Sequence, residues 1–234
     1  HNLRELRLLY PPMDSIDLTQ PNLYINRELS LLAFNKRVLE QAKDPATPLL
    51  ERLKFLCISS TNLDEFFEIR VAGLQEKLVS GAVYPGPDAL TPPELLTQIS
   101  AEARKLVAEQ YRVLNDELIP ALAEERIRFV RRTHWTPKQA QWVQRHFTQE
   151  LLPVLSPLGL DPAHPFPRIL NKSLNFIVSL EGKDAFGRSS GVAIVQAPRS
   201  LPRVIQVPHS YSRGPNDFVF LSSIIHAHVG DLFP

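Results

Sequence analysis

The sequence has 234 residues, 44% of them hydrophobic and 22% charged, a balance typical of a globular protein with a hydrophobic core. The net charge of +1 gives no reason to expect DNA or an anionic membrane as a partner, and the single cysteine, Cys57, excludes an intramolecular disulfide. No apolar run approaches the roughly 18 residues of a membrane-spanning helix, and no secretory signal is recognisable. We therefore expect a cytoplasmic protein, with or without peripheral membrane association.

The N-terminal third is predicted to be helical. Residues 1–22 contain three prolines and are expected to form an arm, and residues 23–82 a three-helix bundle. The first helix shows apolar residues every three or four positions in SLLAFNKRVLEQA, with Ser30 as the expected N-cap. The second begins near Pro48, and the third extends from about Leu63 to Leu78.

Residues 83–234 are predicted to form a second, α+β domain that follows the linker SGAVYPGPDALTPP. Thr91 is the expected cap of a long helix, which Pro120 must kink or restart. A later helix opens on TPKQ, where Thr136 and Gln139 have the spacing of a capping box.

The last third changes to short β-rich runs. LNFIVSL, GVAIVQA, RVIQVP and DFVFL are separated by Gly, Pro, Ser and charged residues, which predicts a mainly antiparallel sheet, and SSIIHAHVGDLF is predicted to be a helix. The fold class is therefore α+β: a three-helix bundle followed by a truncated α+β domain. Because the chain starts with His and stops within an amphipathic segment, we expect a piece of a longer protein.

Several catalytic motifs are absent from the sequence. It has no GxxxxGK[ST], HExxH or paired-cysteine zinc spacing, and EGKD, around Lys183, is predicted to be a hairpin turn. His226 and His228 are two residues apart, which on a helix points them to different sides and disfavours a shared metal. His164 lies in a proline-rich loop that favours a structural role over a site.

The segment RIRFVRR holds the one basic cluster. As a strand it would place Arg126, Arg128 and Arg132 on one face, an arrangement that suits a polyanion. The favoured alternative is a solvated strand edge, where charge discourages pairing with other edges. Nucleic-acid binding here is the weakest functional hypothesis.

The segment SSTNLDEFFEIR leaves two roles open for Asn62. As an N-cap of the following helix, Asn62 would have Glu65 at the third helical position, and this interpretation is favoured on residue chemistry alone. Asp64 and Glu65 would then occupy the positive end of the helix and argue against phosphate binding there. Alternatively, the Asn62 amide faces a ligand, and its donors and acceptor match the mixed edge of adenine.

The continuous stretch from Tyr24 to Lys77 resembles the N-terminal domain of the bacterial polyphosphate kinases of the long-chain, phosphohistidine type. Its most distinctive parts are RELSLLAFNKRVL, PLLERLKFLCISSTNLDEFF and the following IR. The resemblance implies a phosphotransferase that reversibly moves the terminal phosphate of ATP to inorganic polyphosphate, with magnesium and through a phosphohistidine. It also implies that Asn62 contacts ATP and that the head domain contributes to a homodimer or larger assembly.

The sequence departs from that family in one important respect. The phosphorylated histidine of the family is expected in an H-x-K setting, and none of the seven histidines here is followed by lysine two positions later. We therefore predict no catalytic residue and no metal ligand in this chain, with Mg²⁺ bound by domains it lacks, and no activity for the chain by itself. The alternative is a non-catalytic interaction or dimerisation module without a ligand.

Overall fold

The structure is a computed structural model that describes residues 17–81, 84–160, 165–182 and 191–233. The chain divides into two compact units, of which the first ends at Leu118 and the second begins at Ile119. Each unit has its own hydrophobic core.

The first unit is helical. Its elements are, in chain order, a 3-10 turn Pro21–Leu23, helix α1 Arg27–Lys43, helix α2 Leu49–Glu65, a π-helical segment Phe66–Val71, helix α3 Ala72–Val79, helix α4 Pro92–Arg112 and a second π-helical segment Val113–Leu118. Helices α1, α2 and α4 contact one another, and each buries one apolar stripe in the shared core.

The N-cap of helix α1 lies four residues before the predicted one. Asn26 is the N-cap, and its side-chain oxygen accepts the backbone N–H groups of Glu28 at 3.0 Å and Leu29 at 3.1 Å. The predicted cap at Ser30 is wrong, because the residue lies inside the first helical turn and its N–H already donates to the Asn26 carbonyl.

The chain remains helical without a break from Leu49 to Val79, where the sequence predicted two separate helices. Helix α2 passes directly into the first π-helical segment, which passes directly into α3. The three main helices of the bundle are therefore α1, the continuous α2–α3 rod and α4.

Helix α4 belongs to the first unit. Its side chains Leu95 and Ile99 lie in the first core, so the two compact units divide after Leu118, whereas the sequence placed a domain boundary at residues 82–83. The expected cap is confirmed: the Thr91 backbone N–H and hydroxyl both donate to the Glu94 carboxylate, at 2.9 and 2.6 Å.

The second π-helical segment ends two residues before Pro120. Proline lacks an N–H, and its ring clashes with the carbonyl four residues earlier, so an ordinary α-helical turn is strained at this point. The wider turn of the π segment precedes the proline, and the chain continues as helix α5, Ile119–Glu124. Pro120 therefore changes the winding of the helix without ending it.

The second unit combines helices with two small sheets. Its elements are α5, β1 Ile127–Phe129, a 3-10 turn Arg132–His134, α6 Pro137–His146, a π-helical segment Phe147–Leu151, β2 Ser156–Leu160, β3 Leu174–Ser179, β4 Val192–Ala197, β5 Val204–Gln206, β6 Asn216–Phe220, α7 Leu221–His228 and a 3-10 turn Val229–Leu232. One sheet has the order β1–β6–β5 and the other β2–β4–β3.

Of the strand pairings among the described residues, only β1 with β6 is parallel. The predicted α+β class and the mainly antiparallel sheet are confirmed. The predicted capping box is confirmed as well: the Gln139 N–H donates to the Thr136 hydroxyl oxygen at 3.2 Å, and the Thr136 N–H donates to the Gln139 side-chain oxygen at 3.0 Å.

Candidate functional site

The first unit contains a groove of about 310 Å³ between α1 and the α2–α3 rod, which we call the Asn62 groove. It is lined by Leu31, Leu32, Phe34, Asn35, Asn62, Glu65, Phe66, Ile69 and Arg70. Three of its apolar side chains remain strongly exposed: Leu31 at 38%, Phe34 at 50% and Ile69 at 60%. A concave site with apolar walls and a few polar groups is the usual form of a small-molecule site.

A chain of buried polar groups reaches the groove from inside the first unit. The Gln110 amide donates to the Ser59 hydroxyl at 2.8 Å, and the Asn35 amide donates to the Ser59 carbonyl at 2.8 Å. The Asn62 amide then donates to the Asn35 side-chain oxygen at 3.4 Å. Gln110, Ser59 and Asn35 are buried, whereas Asn62 is half-buried at the groove surface.

This chain fixes which way the Asn62 amide faces. Because Asn35 uses its N–H₂ group on the Ser59 carbonyl, it presents its oxygen to Asn62. Asn62 therefore points one N–H of its amide at the Asn35 oxygen, and its own oxygen and second N–H are left for other partners. Among the described residues, none hydrogen-bonds to that oxygen or to that second N–H.

The predicted N-cap role of Asn62 is wrong. Asn62 and Glu65 lie in the last turn of α2, and the helix continues past them, so no free helix N–H groups are present to be capped. The argument against phosphate, which placed Asp64 and Glu65 at the positive end of a helix, is wrong for the same reason. Of the polar residues in the segment, Ser59 and Asn62 make tertiary hydrogen bonds instead, to Gln110 and Asn35.

The π-helical segment decides which residues share the groove with Asn62. In a regular α-helix, Arg70 would lie about 80° around the axis from Asn62, since eight residues at 3.6 per turn exceed two full turns. The π segment turns less per residue, which brings Arg70 back toward the face of Asn62. Both residues line the groove.

The basic cluster does not form the predicted face. Arg126 has a left-handed φ of 61° and precedes β1, and Arg132 begins a 3-10 turn after the strand. Arg128 makes a paired contact with the buried Asp217, at 2.7 and 3.2 Å. The prediction that these arginines share one strand face is therefore wrong.

The histidine candidates do not converge in the described part of the chain. His228 contacts Asp231 at 3.3 Å and stacks on Phe147 at 5.1 Å between ring centroids, whereas His226 is exposed. His164 and Lys183, of the predicted loop and hairpin turn, lie outside the described residues. Within the described ranges, no three His, Cys, Asp or Glu side chains are grouped as metal ligands would be.

Of the helices in the described part of the chain, none combines the length and the apolar character that crossing a membrane requires.

Two family models match the chain. The model described as "Polyphosphate kinase N-terminal domain" matches residues 24–130, and the one described as "Polyphosphate kinase middle domain" matches residues 138–234. The Asn62 groove lies within the first match.

Individual relatives agree with these models. The chain is 57% identical over 213 residues to a polyphosphate kinase of Pseudomonas aeruginosa, covering 91% of this chain and 31% of that protein. It is 56% identical over 220 residues to one of Neisseria gonorrhoeae, covering 93% and 32%. The crystal structure of polyphosphate kinase from Porphyromonas gingivalis matches with a TM-score of 0.77 at 29% identity, over 90% of this chain and 30% of that one. The chain thus spans about a third of the length of the relatives it matches.

Proposed function

Because this chain belongs to the polyphosphate kinase family, we propose that it works within an enzyme that reversibly transfers the terminal phosphate of ATP to inorganic polyphosphate. The phosphate is carried by a histidine in a part of the protein that this chain does not span. Magnesium is held there as well. The role of this chain is to bind the adenine base of ATP in its first unit and to contribute to a homodimer in its second.

The observation that carries the proposal is the constrained amide of Asn62. An adenine edge offers one donor beside one acceptor, so it requires one acceptor and one donor in return. The Asn62 oxygen and its second N–H supply this pair, because Asn35 occupies only the first N–H. The preset orientation lowers the entropy lost when the base binds.

The walls of the groove suit a flat aromatic ligand. The Phe34 ring is half-exposed in the groove, and the Arg37 guanidinium lies 5.5 Å from its centroid. Bases stack on such rings, and the apolar side chains of Leu31 and Ile69 extend the contact surface.

The test is to titrate the intact protein with adenosine and with ATP, comparing wild type with Asn62→Asp and Asn62→Ala. Both variants lose the donor, and Asn62→Asp also turns a carboxylate toward the Asn35 oxygen. We expect affinity for both ligands to fall about tenfold, the size of one hydrogen bond at a buried polar site.

The matched control is Thr61→Ala, the neighbouring exposed residue of the same helix, which should bind both ligands normally. Normal affinity of Asn62→Asp for adenosine and ATP would contradict base binding here and favour an interaction module without a ligand of its own.

A further inference from the structure

Among the described residues that line the Asn62 groove, Arg70 is the one with a cationic side chain. It is half-buried, yet no described residue gives its guanidinium a hydrogen bond or an ion pair. Burying a charge without a partner is unfavourable, and most other half-buried cations of this unit are paired, such as Lys43 with Glu109 and Arg52 with Glu117. The groove therefore contains an unused cation with the fork geometry that recognises phosphate.

We propose that Arg70 is a phosphate-binding residue of the Asn62 groove. The inference rests on the proposed function, in which Asn62 takes the base. The shared chemistry is a phosphoryl group, and its two sources are the phosphate chain of the nucleotide or inorganic polyphosphate. Arg70 binds two of its oxygens with parallel N–H donors.

The arrangement of charge along the rod gives the ligand a direction. Glu65 lies three residues after Asn62 and five before Arg70, so a carboxylate flanks the base end and a cation the far end. A phosphate is repelled near Glu65 and attracted near Arg70. Asn62 and Arg70 are at most about 12 Å apart along the axis, at 1.5 Å per residue of an α-helix, which a nucleotide with an extended phosphate chain can span.

The π-helical segment is what makes the subsite possible. By bringing Arg70 back toward the face of Asn62, it places the cation on the same wall as the amide. Single π-helical turns inside α-helices are rare and are frequent at functional sites. In this chain the segment places Arg70 in the groove, where no described residue occupies its guanidinium.

The test is a calorimetric titration of the intact protein with adenosine, ATP and inorganic tripolyphosphate, comparing wild type with Arg70→Gln and Arg70→Lys. We expect Arg70→Gln to weaken ATP binding about tenfold or more, as for the loss of a charge-assisted hydrogen-bonded pair, and to leave adenosine affinity unchanged. Arg70→Lys should recover part of the loss, because it keeps the charge without the fork. Arg104→Gln, an exposed arginine on α4 outside the groove, is the matched control and should change none of the three affinities.

The ligands separate the sources of the phosphate. Loss confined to ATP identifies the nucleotide chain, and loss confined to tripolyphosphate identifies the inorganic chain. Unchanged affinity of Arg70→Gln for both would overturn the subsite. Because no described residue pairs with the Arg70 guanidinium, the unfolding midpoint of Arg70→Gln should match wild type, which removes misfolding as an explanation.

The test of the Arg70 subsite can be separated from the test of adenine binding by Asn62. Adenosine binding depends on Asn62 and not on Arg70. If Asn62→Asp weakens adenosine while Arg70→Gln leaves ATP and tripolyphosphate unchanged, only the phosphate subsite fails; if Asn62→Asp has no effect on adenosine, the proposed function itself fails.

Discussion

The two units of the molecule bury polar groups in contrasting ways. In the first, the chain Gln110–Ser59–Asn35–Asn62 extends from the interior to a groove and reaches it with an unused donor and acceptor. In the second, the carboxylate of Asp217 is enclosed by its partners.

Both oxygens of the Asp217 carboxylate accept hydrogen bonds from neighbouring residues. Arg128 donates to both oxygens, and the Arg213 backbone N–H donates at 2.8 Å. Burial by itself would raise the pKa of Asp217, but the hydrogen bonds from Arg128, Ser212 and the Arg213 N–H hold it below its ordinary value. A polar group whose capacity is spent internally stabilises a fold, whereas one with capacity left at a groove is available to a ligand.

The largest expected effect comes from removing the Asp217 carboxylate, whose hydrogen bonds are all made within the second unit. Asp217→Ala removes a buried carboxylate and leaves Arg128 and the Arg213 N–H without their partner, so the free energy of unfolding should fall by about 3 kcal/mol. Urea denaturation followed by circular dichroism measures the loss. Affinity for adenosine should not change in the folded variant, and a loss of adenosine binding would contradict the separation of roles.

A smaller effect is expected from a substitution in the chain Gln110–Ser59–Asn35–Asn62, and it should appear in both stability and ligand binding. Asn35→Ala removes the group that orients Asn62, so the unfolding free energy should fall by about 1–2 kcal/mol and adenosine affinity should fall as well. Ser59→Ala is the matched control, because it removes the hydroxyl that Gln110 contacts but keeps the carbonyl that holds Asn35. Its stability should fall by about 1 kcal/mol with unchanged adenosine affinity. Equal binding losses in both variants would show that general loosening, not orientation, matters.

The smallest effect is expected from an exposed ion network on the surface of the first unit, which is neither enclosed like Asp217 nor part of the groove. Arg112 and Lys43 hydrogen-bond to Glu109 and lower its pKa from its ordinary value of 4.5 to about 2. A lowered pKa stabilises the fold fully above 4.5, and the contribution is lost as the pH falls from about 4.5 to about 2.

Glu109→Gln should therefore lower the unfolding free energy only slightly at neutral pH, as the loss of an exposed pair does, and should remove the same small amount from its decline between pH 4.5 and 2. Urea denaturation across this range checks the slope, with Glu76→Gln, an exposed residue of α3 outside the network, as the control. A wild-type slope in Glu109→Gln would show that other carboxylates govern acid unfolding.

Much of the fold follows from local patterns in the sequence. Apolar spacing located α1, the cap at Thr91 and the box at Thr136 marked where α4 and α6 begin, and short β-rich runs located the strands β3, β4 and β6. These features depend on residues a few positions apart, so the sequence displays them directly.

The break predicted near Asn62 failed for a physical reason. Ser, Thr and Asn in a row compete with helical hydrogen bonds and favour caps, so SSTN has the local character of a helix start. In the structure, Asn35 from α1 and Gln110 from α4 donate hydrogen bonds to Ser59, the Asn35 oxygen accepts one from Asn62, and the helix continues. Those partners are 24 to 51 residues away along the chain.

The sequence by itself determined the fold class, the order of most elements, the family resemblance and Asn62 as the residue to examine. Only the tertiary structure decided that Asn62 is held by Asn35 and is not a cap, and that a π-helical segment turns Arg70 into the same groove. The reason is separation along the chain. Turns and caps are encoded by residues a few positions apart, whereas the orientation of one amide and the winding of the α2–α3 rod depend on contacts between separate helices.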